Sequence, residues 1–184
     1  MRHAATCLFA VLLLLSLTAC KTTHFGYAPQ ENLAPLAVRF ADAKWTGAAV
    51  PADEVCDKFG GARAASPRLD VSGIPAGADA LIIEFNDRSY APLSSGGGHG
   101  AVLYRLPSAG AVAVVPAVPA QTTSLPEGFT MLRRSAGDWP GLRNGAYLPP
   151  CSGGTGNRYE AVVYAVDSAA KQVLAKGVIS LGRY

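Results

Sequence analysis

The sequence has little net charge, few aromatic residues and no closely spaced pair of cysteines. Lys and Arg number 16 against 13 Asp and Glu, a net charge of +3, which is too weak to predict nucleic-acid binding. No CxxC or HxxxH pattern occurs, so we expect neither a metal site nor a cofactor. With 184 residues, 49% of them hydrophobic, the chain is not expected to be disordered and has the length of one domain plus a leader.

The first twenty residues have the layout of a secretory signal peptide. A basic start precedes an apolar run from Leu8 to Leu17, which is too short to cross a bilayer before Lys21. Small residues then lead to Cys20, which resembles the bacterial lipoprotein cleavage signal. We therefore expect a lipoprotein signal peptide over residues 1–19 and a diacylglycerol on the Cys20 thiol. The alternative is a plain signal peptide cut nearby, with Cys20 an ordinary thiol.

This expected lipidation predicts a protein anchored in a bacterial cell envelope. Lysine rather than aspartate follows Cys20, which resembles the sorting pattern of the outer membrane in Gram-negative bacteria. Buried acyl chains contribute about 0.8 kcal/mol per methylene, enough to hold a small domain on a membrane. We expect the membrane, through Cys20, to be the main partner, with the domain facing the periplasm.

Residues 20–35 show no sustained hydrophobic period, so we predict a lipidated tether there and a domain over 36–184. With Cys7 lost in the leader and Cys20 acylated, Cys56 and Cys151 remain in an oxidising compartment. One disulfide between them is expected, contributing roughly 4 to 5 kcal/mol through loop entropy. Metal ligation and two buried free thiols are the alternatives.

Apolar runs of strand length recur along the domain, bounded by Gly, Pro, Asn or Asp. They predict strands at Leu36–Phe40, Leu69–Val71, Ala80–Phe85, Ala101–Leu106, Ala111–Val115, Tyr159–Val166 and Gly177–Leu181. The run that ends at Val166 is apolar on both faces, as a central strand would be. Short helices are predicted at Asp53–Phe59 and Ser168–Leu174. The fold class expected is all-β, an antiparallel β-sandwich with Greek-key-like connections.

Polar residues at three strand ends are the candidate binding groups. The first segment ends in Asp87, the second is a glycine-rich turn that carries His99, and the third runs from residue 147 to residue 159. Amides of the glycine turn, such as that of Gly98, could form an anion-binding nest, or the turn could be a plain surface loop. His99 alone is more often structural than functional, because an imidazole can satisfy a buried carbonyl as readily as it can bind a ligand.

Taken together, these segments resemble the phosphatidylethanolamine-binding protein family, also called the Raf kinase inhibitor-like family. The similarity extends from about Ser66 to Tyr184. Matching motifs are Ser-Pro-x-Leu at residues 66–69, the first aspartate of Asp-Pro-Asp-Ala-Pro at Asp87, the histidine of His-Trp at His99, Tyr-x-Gly-Pro-Cys-Pro at 147–151, His-Arg-Tyr at 157–159 and Val-Tyr-Ala-Leu-Asp at 163–167. The chain departs from these motifs at Arg88, Ser89, Gly100 and Asn157.

The resemblance implies a β-sandwich with a small pocket for phosphate-like anions and phospholipid head groups. The implied pocket residues here are Asp87, His99, Pro150 and Tyr159, with Asn157 in place of a second histidine. Asp87 is expected to orient His99 and keep it partly charged. Because Asn157 is neutral, we expect a weaker attraction for a dianion than a histidinium would give.

Three functions follow as hypotheses. The first is a lipid-anchored, non-catalytic envelope protein with an anion or head-group pocket. The second is a structural or protein-interaction lipoprotein with a degenerate pocket, for which exposed Trp45, Trp139 or Tyr147 would mark the partner surface. The third is a periplasmic hydrolase that uses Ser94 or Ser95 with His99 and Asp87, although no Gly-x-Ser-x-Gly elbow is present.

Overall fold

The computed structural model describes residues 25–184, which form two β-sheets packed face to face. The nine strands are β1 Ala28–Pro35, β2 Ala37–Phe40, β3 Leu69–Ser72, β4 Ala80–Asp87, β5 Ala101–Arg105, β6 Val112–Val115, β7 Phe129–Arg133, β8 Arg158–Asp167 and β9 Gln172–Arg183. The helical elements of this range are two 3₁₀ turns, Asp57–Phe59 and Ala91–Leu93. The predicted signal peptide and Cys20 lie outside the described residues.

The larger sheet has the strand order β1-β9-β8-β4-β5-β7, and the smaller has the order β2-β3-β6. The chain passes from one sheet to the other several times, as in a sandwich. All pairs are antiparallel except β1 and β9, which run parallel. The predicted all-β sandwich is confirmed, with this one parallel pair as a departure.

The seven predicted strands are all present, and β8 is central as predicted, between β9 and β4. The apolar run of β4 explains why this strand lies in the interior: all eight of its residues are buried. Leu81, Ile83 and Phe85 enter the core between the sheets, whereas Ile82 belongs to a separate cluster on the other face of the large sheet. Burial of each such side chain contributes about 1.5 to 3 kcal/mol.

The predicted boundary between tether and domain at residue 36 is wrong. Strand β1 lies inside the predicted tether and pairs with β9, and Tyr27 is buried. The strand lacks a hydrophobic period because it is an edge strand with mostly exposed side chains. Its prolines, Pro29 and Pro35, are tolerated because an edge strand need not use every N–H group.

Neither predicted helix forms as expected. Residues 168–171 are a tight turn, in which the Asp167 carboxylate accepts the N–H groups of Ala169 and Ala170 at 2.9 and 2.8 Å, and β9 then begins at Gln172. Lys171 adopts a φ of +54°, which ends any helix there. In the segment 53–59 only the short 3₁₀ turn at its end is present. Strand β7 was not predicted from the sequence.

Candidate functional site

The end of β4 and the start of β8 bring two of the predicted site residues side by side. Asp87, the last residue of β4, is the register partner of Tyr159 in β8, and both are almost fully buried. His99 lies two residues before the start of β5, the other neighbour of β4 in the sheet. Sheet register therefore places all three at the same end of the sandwich.

Asn86 holds the glycine turn that carries His99. Its buried side-chain oxygen accepts the N–H groups of Gly97 and Gly98 at 2.9 and 3.3 Å. The backbone of His99 and Gly100 bonds in turn to Phe85. The amides expected to form an anion nest are thus used inside the protein, and Gly98 is not among the residues that line the cavity described below.

The imidazole of His99 is held by a backbone carbonyl. Its Nδ1 lies 2.8 Å from the carbonyl oxygen of Leu148, so Nδ1 carries the proton and Nε2 is the acceptor of the neutral ring. Burial lowers the pKa of His99, although the Leu148 carbonyl and the Asp87 carboxylate oppose this. The expectation that Asp87 keeps His99 partly charged is therefore wrong, because desolvation outweighs the nearby charge.

Asp87 is satisfied by groups of the protein itself. One carboxylate oxygen accepts the side-chain amide of Asn157 at 2.7 Å, and the other accepts the backbone N–H of Ser89 at 2.9 Å. The Ser89 hydroxyl accepts the N–H of Arg158 at 3.0 Å. Two of the residues that depart from the family motifs, Ser89 and Asn157, thus join the loop after β4 to the start of β8.

Tyr159 stands against His99 in an edge-to-face contact, with the ring centroids 5.3 Å apart. Burial, with an added effect of the Asp87 charge, raises the pKa of Tyr159 to about 12, so the phenol keeps its proton. Its oxygen accepts the N–H of Cys151 at 3.3 Å. Cys151 forms the predicted disulfide with Cys56, which ties this loop to the 3₁₀ turn that begins at Asp57.

These groups line one cavity of about 230 Å³. Of the predicted site residues it contains Asp87, His99, Asn157 and Tyr159. Pro150 is not among the lining residues, because this segment faces inward and its carbonyl accepts the N–H of Cys56. The other residues of the lining are Tyr90, Leu93, Trp139, Cys151, Ser152 and Thr155.

Trp139 is a lining residue that sequence reasoning did not assign to the site. Its indole nitrogen is buried and makes no hydrogen bond in the part of the chain that the structure describes. The available signal was an aromatic residue in an otherwise polar loop, between Asp138 and Pro140. Trp45 and Tyr147, by contrast, are core residues, 3% and 1% exposed, and offer no partner surface.

The arrangement expected for a hydrolase is not built. The Ser94 hydroxyl donates to the carbonyl of Ala91, and neither Ser94 nor Ser95 lines the cavity. Nδ1 of His99 bonds a carbonyl rather than Asp87, so no orienting carboxylate is in place. Within residues 25–184 no group of three potential metal ligands occurs, and no helix there has the length and hydrophobicity to span a bilayer.

Comparison with solved structures finds a protein with the same fold. No family model matches the chain, and no curated protein matches it. E. coli YbcL, a member of the mammalian PEBP family, superposes with a TM-score of 0.54 at 19% identity, over 82% of this chain and 98% of that one. A homologue of phosphatidylethanolamine-binding protein from Chlamydia trachomatis gives 0.48 at 19% identity, over 82% and 97%. The likeness to YbcL confirms the fold that the sequence resemblance implied.

Proposed function

We propose that this chain is a lipid-anchored, non-catalytic envelope protein whose cavity binds a small ligand of the phospholipid head-group or phosphate type. The observation that carries the proposal is the convergence of three distant chain segments on one cavity. Asp87, His99 and Tyr159 meet there with their polar atoms buried, a costly arrangement that purely structural side chains seldom need.

The charges of the cavity favour a zwitterionic ligand over a dianion. The neutral His99 presents an acceptor, and the Asp87 carboxylate adds a negative charge, so a phosphate dianion would meet repulsion. The available donor is the Trp139 indole, whose N–H group has no partner in the described residues, whereas the Tyr159 phenol already bonds the Asp87 side chain. A ligand that carries an ammonium group to bind Asp87 and an oxygen to accept the N–H of Trp139 matches both the acceptors and the donor of the cavity.

The size of the cavity limits the ligand further. A volume of about 230 Å³ lies below the roughly 300 to 1,000 Å³ of sites for drug-sized molecules. It suits a head group rather than a whole lipid. A wider and more open depression of about 770 Å³ lies beside β5 and β7, but its lining brings together none of the predicted site residues.

NMR titration with phosphoethanolamine and with inorganic phosphate tests this proposal. We expect millimolar phosphoethanolamine to shift the indole N–H signal of Trp139 and the imidazole signals of His99. The indole of Trp45, which is buried in the core, is the internal control and should not move. Phosphate alone should shift the same signals less. Unchanged signals at millimolar concentrations of both probes would refute ligand binding.

The variant Tyr159→Phe separates binding from folding. It removes the phenol oxygen but keeps the ring that packs on His99. Loss of the phenol, which bonds the Asp87 side chain, predicts an affinity for phosphoethanolamine about tenfold weaker, equivalent to about 1.4 kcal/mol. An unchanged affinity would show that the ligand lies elsewhere.

The expected lipid anchor has its own test, a mass spectrum of the mature N-terminal peptide. A diacylglyceryl group on Cys20 supports the anchor, and an unmodified thiol in an exported protein rejects it.

The protein-interaction hypothesis keeps one supporting observation, since the Asn157 amide already occupies one oxygen of Asp87. A titration without any response would favour that hypothesis.

A further inference from the structure

Aromatic rings line the cavity at the end of β4, beside a single carboxylate. Ring-bearing or aliphatic side chains of the lining are Tyr90, Leu93, His99, Trp139 and Tyr159. Among residues 25–184, no Lys or Arg belongs to this lining, and Asp87 is the acidic residue in it. Aromatic rings around one negative charge have the composition of the aromatic cages that bind quaternary ammonium groups.

The arginine next to Asp87 in the chain does not balance its charge inside the cavity. The guanidinium of Arg88 donates to the carbonyl of Ser94 and lies 3.5 Å from the carboxylate of Glu160. Arg88 is not a lining residue. The charge of Asp87 therefore favours a ligand group that is itself a cation.

The hydrogen bonds that Asp87 already accepts distinguish between two kinds of cation. Its carboxylate accepts the Asn157 amide and the Ser89 N–H, and the Tyr159 phenol also bonds it. A primary ammonium group brings three more N–H donors, each of which is costly if it leaves water without an acceptor. Nε2 of the neutral His99 offers one further acceptor. A quaternary ammonium group has no N–H to satisfy, so the cavity suits it better.

The two tyrosines of the lining lie in different surroundings. Tyr159 is 3% exposed and is the register partner of Asp87, so its ring belongs to the buried part of the cavity beside the carboxylate. Tyr90 precedes the 3₁₀ turn Ala91–Leu93, and its side chain is 45% exposed. Burial in the core does not account for an aromatic ring at this position, whereas contact with a ligand does.

We infer that the cavity selects a quaternary, choline-type ammonium group over a primary one. Asp87 supplies the opposite charge, and the rings of Tyr90 and Tyr159 contact the methyl groups on the nitrogen. The Trp139 indole remains the donor to the ligand phosphate. This inference rests on the head-group cavity of the proposed function and narrows its ligand to one class.

NMR titration of the full, processed protein, followed through the indole N–H signal of Trp139, tests this selectivity. The probes are phosphocholine, phosphoethanolamine and dimethylbutyl phosphate, in which a carbon atom replaces the cationic nitrogen of phosphocholine. We expect phosphocholine to bind about fivefold more tightly than phosphoethanolamine and about tenfold more tightly than the dimethylbutyl ester. Equal affinities for phosphocholine and either of the other two probes would overturn the inference.

Substitutions of Tyr90 test the role of its ring. Tyr90→Leu keeps an apolar side chain without the ring and should weaken phosphocholine binding about fivefold, with less than about a twofold effect on phosphoethanolamine. Tyr90→Phe keeps the ring and should retain the selectivity. Phe59→Leu is the matched control, since Phe59 is also exposed, at 38%, but does not line the cavity, and its affinities should not change. Full selectivity in Tyr90→Leu would contradict the inference.

A choline-type group occurs both in free small molecules and in lipids, and separate arms distinguish these sources. Short-chain phosphatidylcholine is compared with short-chain phosphatidylethanolamine, as phosphocholine is compared with phosphoethanolamine. Tighter binding of the choline compound in either arm supports the inference.

The titrations also distinguish this inference from the proposed function. If each ethanolamine compound binds as tightly as its choline counterpart, the head-group cavity stands and the selectivity is wrong. If no compound shifts the Trp139 signal at millimolar concentration, both proposals fail.

Discussion

Gly100 offers the sharpest test of how the site is packed. It has a φ of +109°, and a Cβ built on it would lie 2.1 Å from the carbonyl oxygen of Ala146. The segment from Ala146 continues into Leu148, whose carbonyl holds the His99 ring. The close passage of two backbone segments at this point thus accounts for the glycine at position 100, where the family that the sequence resembles has a tryptophan.

The substitution Gly100→Ala combines two costs. Backbone strain at positive φ costs about 1 to 3 kcal/mol, and forcing a methyl group into a packed contact costs about 1 to 3 kcal/mol more. We therefore expect a loss of roughly 2 to 6 kcal/mol in the free energy of unfolding. Urea denaturation of the oxidised protein, followed by circular dichroism, measures it.

Gly154→Ala is the matched control. Gly154 also has a positive φ, +81°, but no atom lies within 4 Å of its added Cβ. Strain alone predicts a loss of about 1 to 2 kcal/mol. If the free energies of unfolding of the two variants fall by the same amount within about 0.5 kcal/mol, the close approach of Ala146 does not explain why position 100 is a glycine, and the reasoning fails. The imidazole signal of His99 should move in Gly100→Ala and stay in place in Gly154→Ala.

Three further outcomes are expected. Replacing Cys56 and Cys151 by serine opens a loop of 95 residues, and urea melts should show a loss of about 4 to 5 kcal/mol in the entropy model; a loss below about 1 kcal/mol would contradict it. Because burial lowers the pKa of His99 from 6.5 in the fold, protonation favours the unfolded chain. The free energy of unfolding should therefore be fully present above pH 6.5 and fall as the pH drops below it. His99→Gln should flatten that decline, and an equal slope in both proteins would refute the assignment of the decline to His99. Asn86→Ala leaves two amides of the glycine turn without an acceptor, and calorimetry should show a loss of roughly 2 to 4 kcal/mol; a neutral result would mean that water replaces the side chain.

Much of the sandwich could be predicted because its strands carry their signal locally. The apolar run of β4 and the doubly apolar run of β8 are buried on both faces, so their patterns depend on no particular neighbour. Strand β1 is different, because its partner β9 lies some 140 residues away and its exposed side chains have no period. The helix predicted from Ser168 failed because one side chain, Asp167, bonds the backbone into a tight turn.

The sequence resemblance identified most of the site residues, but it did not predict their hydrogen-bond partners. Motif resemblance pointed to Asp87, His99 and Tyr159, and register between β4 and β8 brings the first and last together. Resemblance did not indicate that Trp139 joins them, because that loop carries no matching motif. It also suggested a free glycine nest, whereas the acceptor that occupies those amides, Asn86, stands eleven positions earlier.

The sequence by itself determined seven of the nine strands, which cysteines remain to pair and which polar residues sit at strand ends. These follow from composition and short-range pattern, since burial of an apolar run and pairing of leftover thiols need little knowledge of neighbours. The charge state of His99 and the partners of Asp87 were decided only by tertiary structure. Each depends on desolvation and on atoms brought together from distant positions, and neither quantity is written in the order of the residues.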